Sequence, residues 1–218
     1  MRRSFAALCR VTPLCAAAGF VDAFGYFALD RVFTANMTGN TVLFAAAVAR
    51  GDWTSAPVYF ITLASFVAGA VTAAVLRRWL ATPCLLLLIV AALVATVGVT
   101  APRSDVAVVI LAVGMGVQAA SLTVFAGVRL QTVVLTGALV NLADAVIDRV
   151  WPRESGPSPH PPAISVLSAS WLSYAVGAGG GVLAVDRWRY ALLIPAAVLT
   201  AVAIALEWNA RSPPRRSP

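Results

Sequence analysis

Asp22 stands in the middle of an apolar stretch, between Val21 and Ala23, and a little further on "FTANMTGN" sets Thr34, Asn36, Thr38, Gly39 and Asn40 inside a second one. In apolar surroundings such residue types can do two kinds of chemistry. A carboxylate can carry a coupling proton or cation, and amides and hydroxyls can ligate a small polar or anionic solute. A carboxylate at membrane depth costs about 2.5 to 3.5 kcal/mol on insertion scales, so it needs protonation or a partner. Lipid offers an amide no partner at all, so these side chains must face protein or water. The candidate binding set is Asp22, Asn36, Thr38, Gly39, Asn40, Gln118, Thr136, Gly137 and Asn141. A plainer reading stands beside it. Gly and Thr permit close helix packing, and Asp22 is then an acid bonded to Asn36, Asn40 or Gln118.

The elements that must position these residues are membrane helices. Only 11% of the 218 residues are charged against 60% hydrophobic, and the mean hydropathy is +0.86. Soluble domains carry about 25% charged residues. Eight apolar runs can be marked, at 13–29, 33–49, 58–76, 84–100, 106–126, 132–147, 164–185 and 190–206. Most are long enough to approach a hydrocarbon layer of about 30 Å. The fold class is therefore all-α, a polytopic membrane helix bundle occupying residues 1–207 as one domain. A Pro-rich loop at 151–163 and a basic tail at 208–218 read as unstructured.

The net charge of +7 is a topology signal here and not a nucleic-acid signal. All sixteen basic residues are Arg, and nearly all lie between the runs or at the ends. Arg2, Arg3 and Arg10 precede the first run, while Arg211, Arg215 and Arg216 follow the last. Both termini are expected in the cytoplasm, with the chain in a bacterial inner membrane and the lipid bilayer as its partner. Cys9, Cys15 and Cys84 read as small core residues, and His160 has no second ligand nearby, so neither a metal nor another cofactor is expected. No G-x-S-x-G, H-E-x-x-H or phosphate loop occurs, so the reading is not enzymatic.

An internal repeat organises the runs. "FTANMTGNTVLFAAAVA" lies over "QTVVLTGALVNLADAVI", and both carry T-x-x-x-T-G. "GFVDA" lies over "GVQA" with one residue skipped, pairing Asp22 with Gln118, and "FVAGA" over "YAVGA". Two repeats follow, about 13–100 and 106–207. The Thr-Gly segments admit two models. If they cross the membrane, there are eight spans in parallel repeats. If each is a broken or re-entrant half-helix, there are three spans per repeat, and the second repeat is inverted. Counting from a cytoplasmic N-terminus, eight spans keep ten of the sixteen Arg inside and six spans keep eleven. The second model also moves Arg77 and Arg78 to the favoured side. Both Thr-Gly glycines, Gly39 and Gly137, are then expected at tight backbone sites.

"AGFVDAFGYFAL" followed by "VFTANMTGNTVLFA" resembles the signature of the YoaK-like family of small bacterial membrane proteins, and "VLTGALVNLADAV" resembles its second block. The resemblance implies a multi-span inner-membrane protein, described as a permease without a demonstrated substrate. The functional expectation is a small-solute permease or secondary transporter with a central polar site at the two Thr-Gly segments; the other reading is an accessory or scaffold protein whose polar residues only pack helices. A homodimer is compatible with the size of the chain.

Overall fold

The computed structural model describes residues 2–29, 31–79, 84–100, 105–121, 124–125, 128–129, 136–151 and 162–211. Eight helices are formed: α1 (Arg2–Ala28), α2 (Met37–Arg50), α3 (Ala56–Leu76), α4 (Cys84–Thr100), α5 (Asp105–Ser121), α6 (Thr136–Val150), α7 (Pro162–Val185) and α8 (Leu193–Arg211). Apart from them, the described residues contain one two-residue antiparallel pairing, β1 (Val124–Phe125) with β2 (Val128–Arg129). Within the apolar run expected to reach residue 126, Val124 and Phe125 are thus extended and not helical. Conversely, α8 continues to Arg211, four residues into the stretch expected to be unstructured.

Three helices, Ala6–Ala28, Ala56–Leu76 and Ile164–Val185, are long and apolar enough to cross a membrane, and Cys84–Thr100, Asp105–Ser121 and Leu193–Trp208 are shorter apolar helices. With 27 residues, α1 is about 40 Å long; α2, with 14, is about 21 Å and falls short of the hydrocarbon thickness. The outer faces are themselves apolar. Phe60, Val67 and Val71 on α3 and Leu172, Val176 and Leu183 on α7 are exposed, as side chains bathed in lipid are.

The helices pair in a definite order. α1 packs on α7 and α8, α3 on α5 and α2, α4 on α8 and α5, and α6 on α7. The core runs through Val11, Leu14 and Val21 of α1, Leu87 and Val94 of α4, Leu111 and Met115 of α5, and Leu199 of α8. Cys15 and Cys84 are buried in it, whereas Cys9 is exposed, contrary to expectation, because the space between the first turns of α1 and the last turns of α8 is open there.

Glycines let two of these pairs approach backbone to backbone. A Cβ at Gly19 would collide with the carbonyl of Tyr174, and one at Gly177 with the carbonyl of Ala16. At the α5–α3 crossing, Gly116 meets the carbonyl of Phe66 in the same way, and Gly69 that of Val113. Without a hydrophobic effect between helices in lipid, such close van der Waals contact is a main source of association.

Candidate functional site at the start of α2

The chain leaving α1 does not run on past the helix end. It reverses at Arg31, which takes a left-handed conformation with φ 57°, uncommon for a residue with a Cβ. Residues 32–36 then fold back along α1. A Cβ on Gly25 would meet the Val32 carbonyl at 2.7 Å, and the Phe33 ring stacks on Tyr26 with centroids 4.8 Å apart. This brings the start of α2 alongside Asp22, which lies six residues, or about 9 Å, before the end of α1.

There Asp22 is the hub. It is 2% exposed, and its Oδ1 accepts the Ala35 N–H at 2.5 Å, the Asn36 N–H at 3.3 Å and the Thr34 hydroxyl at 3.3 Å. Its Oδ2 accepts the hydroxyl of Tyr174 from α7. The two backbone N–H groups can only donate while the two hydroxyls can donate or accept, so the cradle accommodates Asp22 with or without a proton. The positive end of the α2 dipole points to the same place.

The remaining polar residues of "FTANMTGN" satisfy the reversal itself. Asn40 clamps Phe33 from both sides, donating from Nδ2 to the carbonyl at 2.5 Å and accepting the N–H on Oδ1 at 3.0 Å. Asn36 caps α2 by accepting the Gly39 N–H at 3.1 Å. Gly39 is tight, as expected: a Cβ would meet the Phe33 ring at 2.8 Å. A non-helical turn at membrane depth must have its backbone groups satisfied by protein, and these amides do it. Thr38 points outward and is exposed.

The other candidates lie elsewhere. Gln118 on α5 is buried at 1% exposure and donates from Nε2 to the Leu14 carbonyl at 2.9 Å, while its Oε1 finds no partner among the described residues. The anticipated side-chain bonds from Asp22 to Asn40 or Gln118 are not formed, because each of those amides is engaged with backbone. Thr136 opens α6, Gly137 and Asn141 are exposed on it, and nothing lies within 4 Å of a Cβ built on Gly137. Among the described residues, then, Gly137 has no close neighbour of the kind that makes Gly39 tight. Residues 131–135, the start of the second Thr-Gly segment, lie outside the described residues.

Two residues of the site were not among the candidates. Thr34 stands in the quoted motif outside the candidate set, and its hydroxyl donates to Asp22. Tyr174 lies 152 residues from Asp22 in sequence. Its one signal is that "YAVGA" carries a hydroxyl where "FVAGA" has none.

A bundle of apolar helices with a carboxylate sealed between them defines a multi-span helical membrane protein. More particularly, the chain belongs to the family described as "Protein of unknown function (DUF1275)", whose model matches residues 11–205. It is similar to the UPF0700 transmembrane protein YoaK of Bacillus subtilis (strain 168), with 28% identity over 154 residues, covering 63% of this chain and 66% of that protein. The match thus spans slightly less than two thirds of the relative's length. No solved structure matches.

Proposed function

We propose that this protein is a permease for a small anionic or polar solute, built as two inverted repeats of four helices, in which Asp22 holds the anion site at the start of α2 until a proton displaces it. The observation that carries the reading is the junction at Asp22. One carboxylate in a membrane helix ties the first backbone N–H groups before α2 to a hydroxyl on α7. A helix start that offers N–H groups and a positive dipole end at membrane depth is an anion site. Here a carboxylate of the chain itself occupies it. When Asp22 takes up a proton, the Ala35 and Asn36 N–H groups are released to a solute anion, and proton and anion enter the site together.

The inverted-repeat part draws support from the pairings. Exchanging α1 to α4 with α5 to α8 turns α1–α7 into α5–α3, α1–α8 into α5–α4 and α2–α3 into α6–α7, all of which occur. The glycine contacts follow the same exchange, Gly19 and Tyr174 answering to Gly116 and Phe66. In that register Asp22 falls opposite Ala119, and Gln118 is one residue off. Inversion is favoured by α4 and α8. A Cβ on Gly98, near the end of α4, would sit 3.1 Å from the Leu192 Cβ at the start of α8, so these packed helices run antiparallel. Were all eight helices to cross, α4 and α8 would be parallel; a non-crossing α6 removes the conflict.

The test is uptake by proteoliposomes of a panel of small anions (chloride, nitrate, formate, acetate, phosphate) under an imposed pH gradient. The reading expects at least one anion to be accumulated with the proton gradient, and Asp22→Asn to lose accumulation while remaining folded. Absence of uptake across the panel, or unchanged accumulation in Asp22→Asn, overturns it. The scaffold reading is favoured by a specific observation too: Asn36 and Asn40 direct their oxygens to the local backbone. It expects Asp22→Asn to alter stability alone.

A further inference from the structure

A groove of about 530 Å³ opens between the first turns of α1 and the last turns of α8, with Ala6, Cys9, Arg10 and Pro13 on one wall and Ala201 and Ala205 on the other. Its size falls in the range of small-molecule sites, about 300 to 1,000 Å³. The lining is apolar except for Arg10, which is half-buried. No ion pair or hydrogen bond engages the Arg10 guanidinium among the described residues. Pro13 sits inside α1 and brings no N–H to the Cys9 carbonyl, and the Ala side chains opposite leave the space unfilled.

The charge around the groove is mainly basic, with Glu207 on α8 as the one carboxylate among the described residues of these two helix ends. Arg2 and Arg3 begin α1, and Arg211 ends α8. The two helix ends meet at the groove, so these basic residues belong to the same end of the bundle. An apolar slot open on the outer surface of the bundle, with the Arg10 guanidinium at its edge and further Arg beyond it, matches one kind of molecule. We propose that the groove binds an anionic phospholipid, with an acyl chain along the Ala faces and the phosphate on Arg10. A long Arg side chain lies along apolar surface and presents its head toward the interface, where a phosphate accepts two parallel N–H bonds. Basic pockets between membrane helices recognise lipid headgroups in this way.

The experiment is native mass spectrometry of the full chain in detergent with added phosphatidylglycerol or phosphatidylcholine of identical acyl chains. Phosphatidylglycerol is expected to be retained about tenfold better. Arg10→Gln should bring the two lipids within about twofold, while Arg187→Gln, at the opposite end of the bundle, should leave the preference intact. Ala205→Phe, which fills the slot without touching charge, should lower retention of both lipids, and glycerol 3-phosphate should not displace the bound lipid. Equal retention of the two lipids by the native chain, an undiminished preference in Arg10→Gln, or displacement by glycerol 3-phosphate overturns the proposal. If Arg10→Gln does not fold, Ala205→Phe decides alone, and unchanged retention there counts against the groove.

Discussion

The α1–α7 and α5–α3 crossings are made by the same device and finished differently. Both bring a glycine of each helix against a carbonyl of the other, Gly19 and Gly177 in the first, Gly116 and Gly69 in the second. At the first crossing the chemistry beside the glycines is complete. Asp22 receives four donors, among them the Tyr174 hydroxyl. Beside the second, Phe66 replaces the tyrosine, and Gln118 keeps a buried oxygen with no partner among the described residues. Close backbone approach therefore builds the scaffold at both places. Only one of them is given a carboxyl latch.

The largest effect should come from breaking the shared device. Gly177→Leu and Gly69→Leu each force a side chain into a carbonyl of the facing helix, and each should abolish most of the folded yield, measured by size-exclusion chromatography of a fluorescent fusion. Gly137→Leu, where nothing lies within 4 Å, should leave yield unchanged. If all three behave alike, glycine packing does not distinguish these sites.

Removing the latch should come next. Asp22→Ala leaves the Ala35 and Asn36 N–H groups and the Tyr174 hydroxyl unpaired, and should cost about 1 to 3 kcal/mol for each buried donor left unsatisfied. Tyr174→Phe makes the first crossing resemble the second and should cost about 0.5 to 1.5 kcal/mol, the range for one hydrogen bond. Thermal unfolding in detergent measures both. Phe66→Tyr, the reverse exchange, should bring no stabilisation, since no carboxylate lies beside it.

At the second crossing the prediction changes sign. Gln118→Leu removes a buried amide whose oxygen is unsatisfied, and should be neutral or slightly stabilising in the same unfolding measurement. A loss comparable to that of Tyr174→Phe would mean that a donor reaches Oε1 after all.

The smallest effect concerns the turn between α2 and α3. Asp52 is held below the usual carboxylate range, first by the Ser55 hydroxyl and then by the backbone N–H groups of Ser55 and Thr54. A lowered carboxylate contributes above its ordinary value and loses that contribution as the pH falls through the lowered one. Amide exchange at Thr54 and Ser55 should therefore stay slow through the ordinary carboxylate range and speed up only below it. Asp52→Asn should flatten that response.

How much of this was legible in the sequence can be judged residue by residue. The apolar runs located the helices because lipid demands them, and the polar cluster at residues 34–40 stood out because lipid forbids it. What could not be read was the reversal at Arg31. A positive φ in an arginine leaves no mark in composition, so residues 33–36 looked like the start of an apolar segment although the helix begins at Met37. The two "TG" pairs looked equivalent, yet Gly39 is packed against Phe33 and Gly137 is open, a difference that only the neighbours create. Tyr174 was invisible as a partner of Asp22 because proximity across 152 residues is a property of the packed bundle.

The account's central claim is that the second half of the chain is inverted relative to the first. It is tested most directly by comparing the side of the membrane that holds the turn after α3 with the side that holds the C-terminus. In a chain with Cys9, Cys15 and Cys84 replaced by Ala, Trp79→Cys is treated with an impermeant thiol reagent in intact cells, and a protease-cleavable tag is appended after Pro218. Inverted repeats place Cys at position 79 and the tag on the same side, so both react or both are protected. If one reacts and the other is protected, all eight helices cross in parallel repeats, and the account is wrong.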